Sequence, residues 1–247
     1  MKSILDTPLD KHQAGLWFLG QAGNIFRSQT LCISIGPYLS DSVNRVAPAF
    51  RRLYPPPLDP AALRVGIYVV TYDHLNHLDP ETNAYGYKEN TLFVAPPLVY
   101  RKQATLGIPP VNFIRIDSGE TLNLLGAPIM RLYTLPFEVD MIDTTGYRIQ
   151  FDNRRSIYHT SDMVFSELLF KCSPQTEVAL ACINRKDGNM GAQVAVRVAK
   201  AVALRVAATP NHFDLMALYA EIPQAFAYVA MQECPESRSK FWNCWNR

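Results

Sequence analysis

Two histidines in one short polar segment are the residues of this sequence best placed for chemistry. His74 and His77 stand three positions apart, and Asp73, Asn76 and Asp79 are interleaved with them. Imidazole and carboxylate side chains together are suitable ligands for zinc, manganese or iron. The H-x-x-H spacing is also found in ordinary polar loops, so the residues themselves leave a metal site and a solvated loop open.

The strand before this segment must position it. Val65–Thr71 is a continuous run rich in β-branched residues, typical of a strand that is buried on both faces. The run stops directly at the two histidines, and loops at strand ends are where functional sites are commonly built. We therefore expect the histidines to lie at the carboxyl end of a central strand.

Alternating apolar residues and turn residues predict further strands on both sides of this segment. The predicted strands cover residues 17–26, 30–35, 92–94, 112–116, 129–135, 147–151, 156–158, 177–183 and 206–209. Predicted helices begin at Asp59-Pro60 and cover residues 192–206, 215–219 and 224–231. Strands come first and strands mixed with helices follow, which predicts one α+β domain of the αββα type over residues 1–247.

The composition narrows the class of protein. The 247 residues are 48% hydrophobic, and 24 basic residues against 22 acidic ones give a net charge of +2. A chain of this length buries a sizeable core, and its balanced charge argues against a nucleic-acid partner. No apolar run is long enough for a membrane span, and the N-terminus lacks the pattern of a signal peptide. Five cysteines without C-x-x-C spacing then predict reduced thiols in a cytoplasmic protein.

Several motifs carry a resemblance to a known family. Thr71–Asp79 resembles the T-H-x-H-x-D-H-x-D signature of the metallo-β-lactamase superfamily. Further segments resemble that superfamily's other motifs in the same order, namely Leu19–Gly23, Gly36–Val43, Tyr158–Asp162, Asn184–Met190 and Pro210–Asp214. Together they resemble the branch of L-ascorbate 6-phosphate lactonase most. The resemblance runs from about Trp17 to Ala230 and implies a four-layer αββα sandwich.

The resemblance also implies a function and a set of site residues. It implies a metal-dependent hydrolase of a small molecule, either a phosphorylated sugar lactone or a similar small ester, that uses metal-activated water. The implied cofactor is Mn²⁺ or Zn²⁺, one or two ions, with candidate ligands His74, His77, Glu138, Asp162 and His212. Asp162, as the bridging ligand, and His212 are the implied catalytic residues.

Other residues have weaker assignments. Arg185, Lys186 and Asn189 are candidates for binding the substrate's phosphate, although a charged turn between a strand and a helix explains the two cations more simply. His159 either orients a metal ligand or is a structural residue of a strand. We expect Trp242 and Trp245 to dock the C-terminus on the core or on a partner subunit, which leaves a homo-oligomer open.

The departures from the family pattern weaken the site. Tyr72 stands where the family has its first metal histidine, and Asn76 stands where it has an aspartate. Gly36, Phe137 and Ser161 also replace the family's residues. Asn76 offers only a neutral oxygen and accepts no proton, so Asp73 or Asp79 would have to compensate. Three readings stay open: an active hydrolase, a catalytically impaired relative that binds or regulates, and a nuclease or phosphodiesterase, which the charge balance disfavours.

Overall fold

Two six-stranded sheets dominate the computed structural model, which describes residues 1–85, 88–135, 142–167, 175–183, 185, 189–208 and 223–233. The first sheet contains β1 (Gly15–Gly20), β2 (Gly23–Arg27), β3 (Cys32–Ile35), β4 (Ile67–Val69), β5 (Leu92–Ala95) and β6 (Phe113–Arg115), in that spatial order. The second contains β7 (Thr121–Leu124), β8 (Ala127–Leu132), β9 (Gly146–Gln150), β10 (Ser156–His159), β11 (Thr176–Leu180) and β12 (Ala203–Ala208), also in sequence order.

Each sheet is antiparallel in one part and parallel in the other. Strands β1 to β3 pair antiparallel and β3 to β6 pair parallel. In the second sheet β7 to β10 pair antiparallel, and β10 to β12 pair parallel. The parallel strands β4, β10 and β11 therefore send their carboxyl ends into loops that carry predicted site residues.

The helices are short in the first half of the chain and longer in the second. They are α1 (Lys2–Asp6), α2 (Ser42–Val46), α3 (Pro80–Tyr85), α4 (Pro97–Arg101), α5 (Gln103–Leu106), α6 (Ala192–Val202) and α7 (Pro223–Glu233). Single 3₁₀ turns lie at Pro48–Phe50, Pro60–Ala62 and Pro110–Asn112. Among the helices of the described residues, none is long and apolar enough to cross a membrane.

The three largest apolar clusters of the described residues explain the layers. Ile33, Ile67 and Val94 of the first sheet face Ile129 and Ile149 of the second, which forms the core between the sheets. On the outer face of the first sheet, β4 and β5 pack against the short helices. On the outer face of the second sheet, α6 and α7 pack against β10 and β11. The predicted α+β class with helices outside two sheets is confirmed.

The strand predicted before the histidines is present, although it covers Ile67–Val69 rather than Val65–Thr71. Ile67 and Val69 face the core between the sheets, whereas Tyr68 faces the helix-covered side. All three side chains are buried, because both faces of β4 are covered. This central position explains why the sequence of the strand is apolar without alternation.

The structure corrects two helix predictions. The helix predicted over residues 192–206 ends at Val202, and Ala203–Ala208 forms β12, which pairs parallel with β11. The helix predicted to begin at Asp59-Pro60 is only one 3₁₀ turn, although the Asp59 side chain does accept the Ala61 N–H at 2.8 Å. The helix predicted over residues 215–219 lies outside the described residues.

Candidate metal centre

The polar segment after β4 forms a tight turn. The His74 carbonyl oxygen accepts the N–H groups of His77 at 2.9 Å and of Leu78 at 2.8 Å. The turn brings both imidazoles against the ring of Tyr72, with centroids 4.7 Å from the His74 ring and 4.1 Å from the His77 ring. The two predicted ligands of this segment are therefore grouped around one tyrosine.

His77 is fully buried, and each of its two ring nitrogens faces a polar group of another residue. Its Nδ1 lies 2.7 Å from Thr71 Oγ1, and its Nε2 lies 3.4 Å from Asp162 Oδ2. When Nδ1 carries the proton and donates to Thr71, Nε2 presents its lone pair towards Asp162. This arrangement, with one ring nitrogen anchored and the other facing a carboxylate, is typical of a metal-binding histidine.

Asp162 comes from the loop that follows β10 in the second sheet. Its side chain is buried, and its backbone oxygen accepts the Thr144 Oγ1 proton at 3.0 Å. The preceding residue, Ser161, has φ of +62°, a left-handed conformation that directs the chain back towards the site. The loop thus carries Asp162 across to the segment after β4.

Tyr72 makes the second contact with that carboxylate. Its hydroxyl donates to Asp162 Oδ2 at 2.8 Å, so the same oxygen faces both the phenol and His77. The phenol therefore occupies a position where the family pattern would place an imidazole ligand.

His159 is a structural residue rather than a ligand. Its Nε2 lies 3.1 Å from the Ala22 carbonyl oxygen, and its Nδ1 accepts the Ser161 N–H at 3.1 Å. Since both ring nitrogens are engaged by backbone groups, the ring ties the loop before Asp162 to the turn between β1 and β2.

The two neighbouring carboxylates do not replace the missing aspartate at Asn76. Asp79 is fully buried, and its oxygens accept protons from the Ser40 and Ser42 hydroxyls and from the Leu39 N–H. Asp73 pairs with Lys102 at 2.7 Å near the surface. Each carboxylate is therefore engaged elsewhere.

Comparison with protein-family models and with curated sequences gives no match. Three solved structures illustrate what the folded chain is similar to. The isothiocyanate hydrolase from Delia radicum gut bacteria matches 93% of this chain with 95% of its own, at TM-score 0.70 and 15% identity. Igni18, a metallo hydrolase from the archaeon Ignicoccus hospitalis, matches 88% with 90%, at TM-score 0.69 and 16% identity. The metallo-β-lactamase fold protein YhfI from Bacillus subtilis matches 92% with 93%, at TM-score 0.64 and 13% identity.

The chain has the metallo-β-lactamase fold. This confirms the fold predicted from the ordered motifs. Identities of 13% to 16% establish the fold alone, so the lactonase branch and its substrate stay predictions.

The metallo-β-lactamase fold explains how residues far apart in sequence meet here. Thr71 and Tyr72 follow β4 of the first sheet, whereas Asp162 follows β10 of the second. The Tyr147 hydroxyl of β9 donates to the Val70 carbonyl oxygen at 2.9 Å and joins the two sheets beside the site. Residues from both sheets thus converge at one end of the sandwich.

The donor pair fits one divalent metal ion. Two ligands of a tetrahedral zinc ion with bonds of 2.0–2.2 Å lie about 3.4 Å apart. The separation of His77 Nε2 from Asp162 Oδ2 is 3.4 Å. Among the described residues, no three His, Cys, Asp or Glu side chains group as metal ligands. The predicted ligands His212 and Glu138 lie outside the described residues.

The predicted substrate-binding residues are placed in part. Arg185 is exposed, and Lys186 lies outside the described residues. Asn189 is buried, and its Oδ1 accepts the Met163 N–H at 2.9 Å. Asn189 thus holds the backbone directly after Asp162, a positioning contact that the sequence did not reveal.

The buried thiol of Cys182 lies next to Asn189. Cys182 Sγ lies 3.6 Å from Asn189 Oδ1, and burial, with the nearby Asp162 charge, raises the pKa of the Cys182 thiol to about 12. The thiol therefore stays protonated at neutral pH, which argues against a nucleophilic role. Cys182 packs in the apolar cluster on the outer face of the second sheet.

Proposed function

We propose that this chain is a metal-dependent hydrolase that binds one divalent ion, Mn²⁺ or Zn²⁺, through His77, Asp162 and His212. The observation that carries the proposal is the position of His77 Nε2, 3.4 Å from Asp162 Oδ2, with Nδ1 anchored on Thr71. His212 enters through the resemblance of Pro210–Asp214 to a ligand-bearing loop. Three protein ligands and one water form a workable catalytic site.

The chain's own residues prepare that site. Thr71 fixes the ring of His77, while Tyr72 and Thr144 hold the side chain and the backbone of Asp162. A divalent ion here would supply a water with pKa lowered towards about 7 and would polarise a substrate carbonyl. Burial of His77 and Asp162 excludes bulk water from their facing atoms, which strengthens electrostatic interactions between them and a ligand.

Proton transfer is the weak point of the proposed reaction. Asn76 accepts no proton at neutral pH, and Asp73 and Asp79 are engaged by other partners. The loss of a general base typically lowers a rate by 10² to 10⁴. We therefore expect slow turnover on activated substrates.

The proposed substrate is a small ester or a lactone with an anionic group, such as a phosphorylated sugar lactone. Exposed Arg185 supports this choice, since a guanidinium binds a phosphate well. Arg185 and Asn189 share a loop, with the Arg185 N–H donating to the Met190 carbonyl oxygen at 3.1 Å. Asn189 in turn contacts the backbone next to Asp162, which links this loop to the metal ligands.

The first test is the metal content of protein purified without chelator, followed by hydrolysis assays with lactones, esters and phosphoesters. We expect about one ion per chain and slow, metal-dependent hydrolysis. His77→Ala removes an anchored ligand and should abolish both. His12→Ala is the matched control, because His12 is exposed and lies outside the site. Protein that binds no ion and hydrolyses none of these substrates would refute the proposal.

A second candidate is a binding or regulatory protein that keeps the fold and one ion. The Tyr72–Asp162 hydrogen bond favours it, because the phenol occupies a carboxylate oxygen in the centre of the site. This candidate predicts bound metal without turnover. Hydrolysis that disappears in the His77→Ala protein while its fold persists would exclude it.

A further inference from the structure

The phenol of Tyr72 is enclosed among the candidate ligands. Only 2% of the side chain is exposed, and its ring packs against the imidazoles of both His74 and His77. Its hydroxyl is 2.8 Å from Asp162 Oδ2, the oxygen that also faces His77 Nε2 at 3.4 Å. One carboxylate oxygen is thus shared between a hydrogen-bond donor on one side and an imidazole on the other.

We infer that Tyr72 positions Asp162 for a single metal ion beside His77 and blocks a second ion beside His74. This inference rests on the proposed metal-dependent function. The hydrogen bond fixes the orientation of the carboxylate, as outer partners of metal ligands commonly do. The hydroxyl proton lies between Tyr72 and Asp162, where it repels a cation, and the ring fills the space next to His74.

Two substitutions at Tyr72 distinguish its role in positioning Asp162 from its role in blocking a second metal ion. Tyr72→Phe keeps the ring and removes the hydroxyl, so the chain should still bind one ion but 10 to 100-fold more weakly. Tyr72→His shortens the side chain and puts an imidazole near His74 and Asp162. Its nitrogen no longer reaches Oδ2, and a gap opens for a second ion with bonds of about 2.0–2.2 Å. This variant should bind two ions per chain.

The experiment is a titration of the full chain with Co²⁺, followed by calorimetry and by visible absorption of the bound ion. Affinity and stoichiometry are measured for the wild type, for both Tyr72 variants and for His77→Ala. Tyr38→Phe is the matched control, because Tyr38 is fully buried and its hydroxyl accepts the Val43 N–H at 3.1 Å, away from Asp162. Urea unfolding in the presence of EDTA reports whether each metal-free variant is folded.

Each outcome has a defined meaning. The expected pattern is one ion in the wild type and in Tyr38→Phe with equal affinity, weaker binding in Tyr72→Phe, and two ions in Tyr72→His. Wild-type affinity in Tyr72→Phe overturns the positioning role, and one ion in Tyr72→His overturns the blocking role. If Tyr72→Phe does not fold, the stoichiometry of Tyr72→His decides. A wild type that binds no Co²⁺ refutes the proposed function as well, whereas the other failures leave that function standing.

Discussion

Asp79, at the end of the segment that contains both histidines, stabilises the fold. Asp79 directly precedes α3, and its side chain is fully buried. Its Oδ1 accepts the Ser40 hydroxyl at 2.7 Å and the Ser42 hydroxyl at 3.0 Å. Its Oδ2 accepts the Leu39 N–H at 3.2 Å and the Thr82 hydroxyl. One carboxylate thus ties the loop after β3 to the first turn of α3.

We expect Asp79→Asn to destabilise the fold by roughly 3 kcal/mol, because an amide accepts protons on one oxygen only and leaves buried donors unpaired. Urea unfolding measures this difference in free energy of unfolding. Asp73→Asn is the control, since its ion pair with Lys102 is partly exposed and contributes less than about 1 kcal/mol. Equal destabilisation by both substitutions would contradict the role of Asp79.

The sequence identified part of the site. The contacts that it did not predict join residues far apart in the chain. The residue types and spacing selected His74 and His77, and the motif at Tyr158–Asp162 selected Asp162. The contact between Tyr72 and Asp162 joins residues 90 positions apart, so no local pattern records it. For the same reason sequence reasoning placed Asp79 among the candidate proton acceptors, although its partners lie about 40 positions earlier.

At the level of elements, the loop after β10 is held in an unusual backbone conformation. Ser161 has φ of +62°, a region that glycine adopts without strain and other residues adopt at a cost. Its hydroxyl gains little in return, because it lies 3.4 Å from Thr144 Oγ1. The conformation is retained because His159 and Thr144 fix the backbone on either side.

Ser161→Gly should therefore stabilise the protein by about 0.5–1 kcal/mol, the relief of left-handed strain less the extra entropy of an unfolded glycine. Thermal or urea unfolding measures the effect. Ser161→Ala removes the same hydroxyl and keeps the strain, so it should give no gain. A glycine variant that is less stable than the wild type would show that the hydroxyl contact outweighs the strain.

Element boundaries show where tertiary pairing overrides local preference. Residues 203–208, Ala-Leu-Arg-Val-Ala-Ala, are good helix formers apart from Val206 and continue the pattern of α6. They form β12 because Val206 and its neighbours complete a parallel ladder with β11. The β4 strand, in contrast, was predictable, because a fully buried position requires apolar residues throughout.

The described part of the molecule buries several weakly acidic side chains. Burial raises the pKa of the Cys182 thiol and of the Tyr38 phenol, each to about 12. Burial also raises the pKa of Tyr147 and Tyr68, further above the ordinary value. The folded state therefore holds these protons more tightly than the unfolded chain does.

This difference predicts a loss of stability at alkaline pH. The unfolded chain releases thiol and phenol protons from about pH 8.5 to 10, whereas the folded chain keeps them. Above that point each buried group lowers the free energy of unfolding by about 1.4 kcal/mol per pH unit until its folded-state pKa is reached. Below about pH 8 the thiol and the phenols are protonated in both states, and their contribution to the free energy of unfolding is fully present.

Urea unfolding at about pH 8 and about pH 10.5 tests this prediction. The wild type should lose stability over this interval, and Tyr147→Phe should lose less. Tyr147→Phe starts from a lower stability at pH 8, because it lacks the hydrogen bond to the Val70 carbonyl oxygen. Tyr133→Phe, which removes an exposed hydroxyl, is the matched control. An equal loss in the wild type and in Tyr147→Phe would mean that the Tyr147 phenol releases its proton to solvent in the folded state. The two sheets would then separate at this end before the protein unfolds.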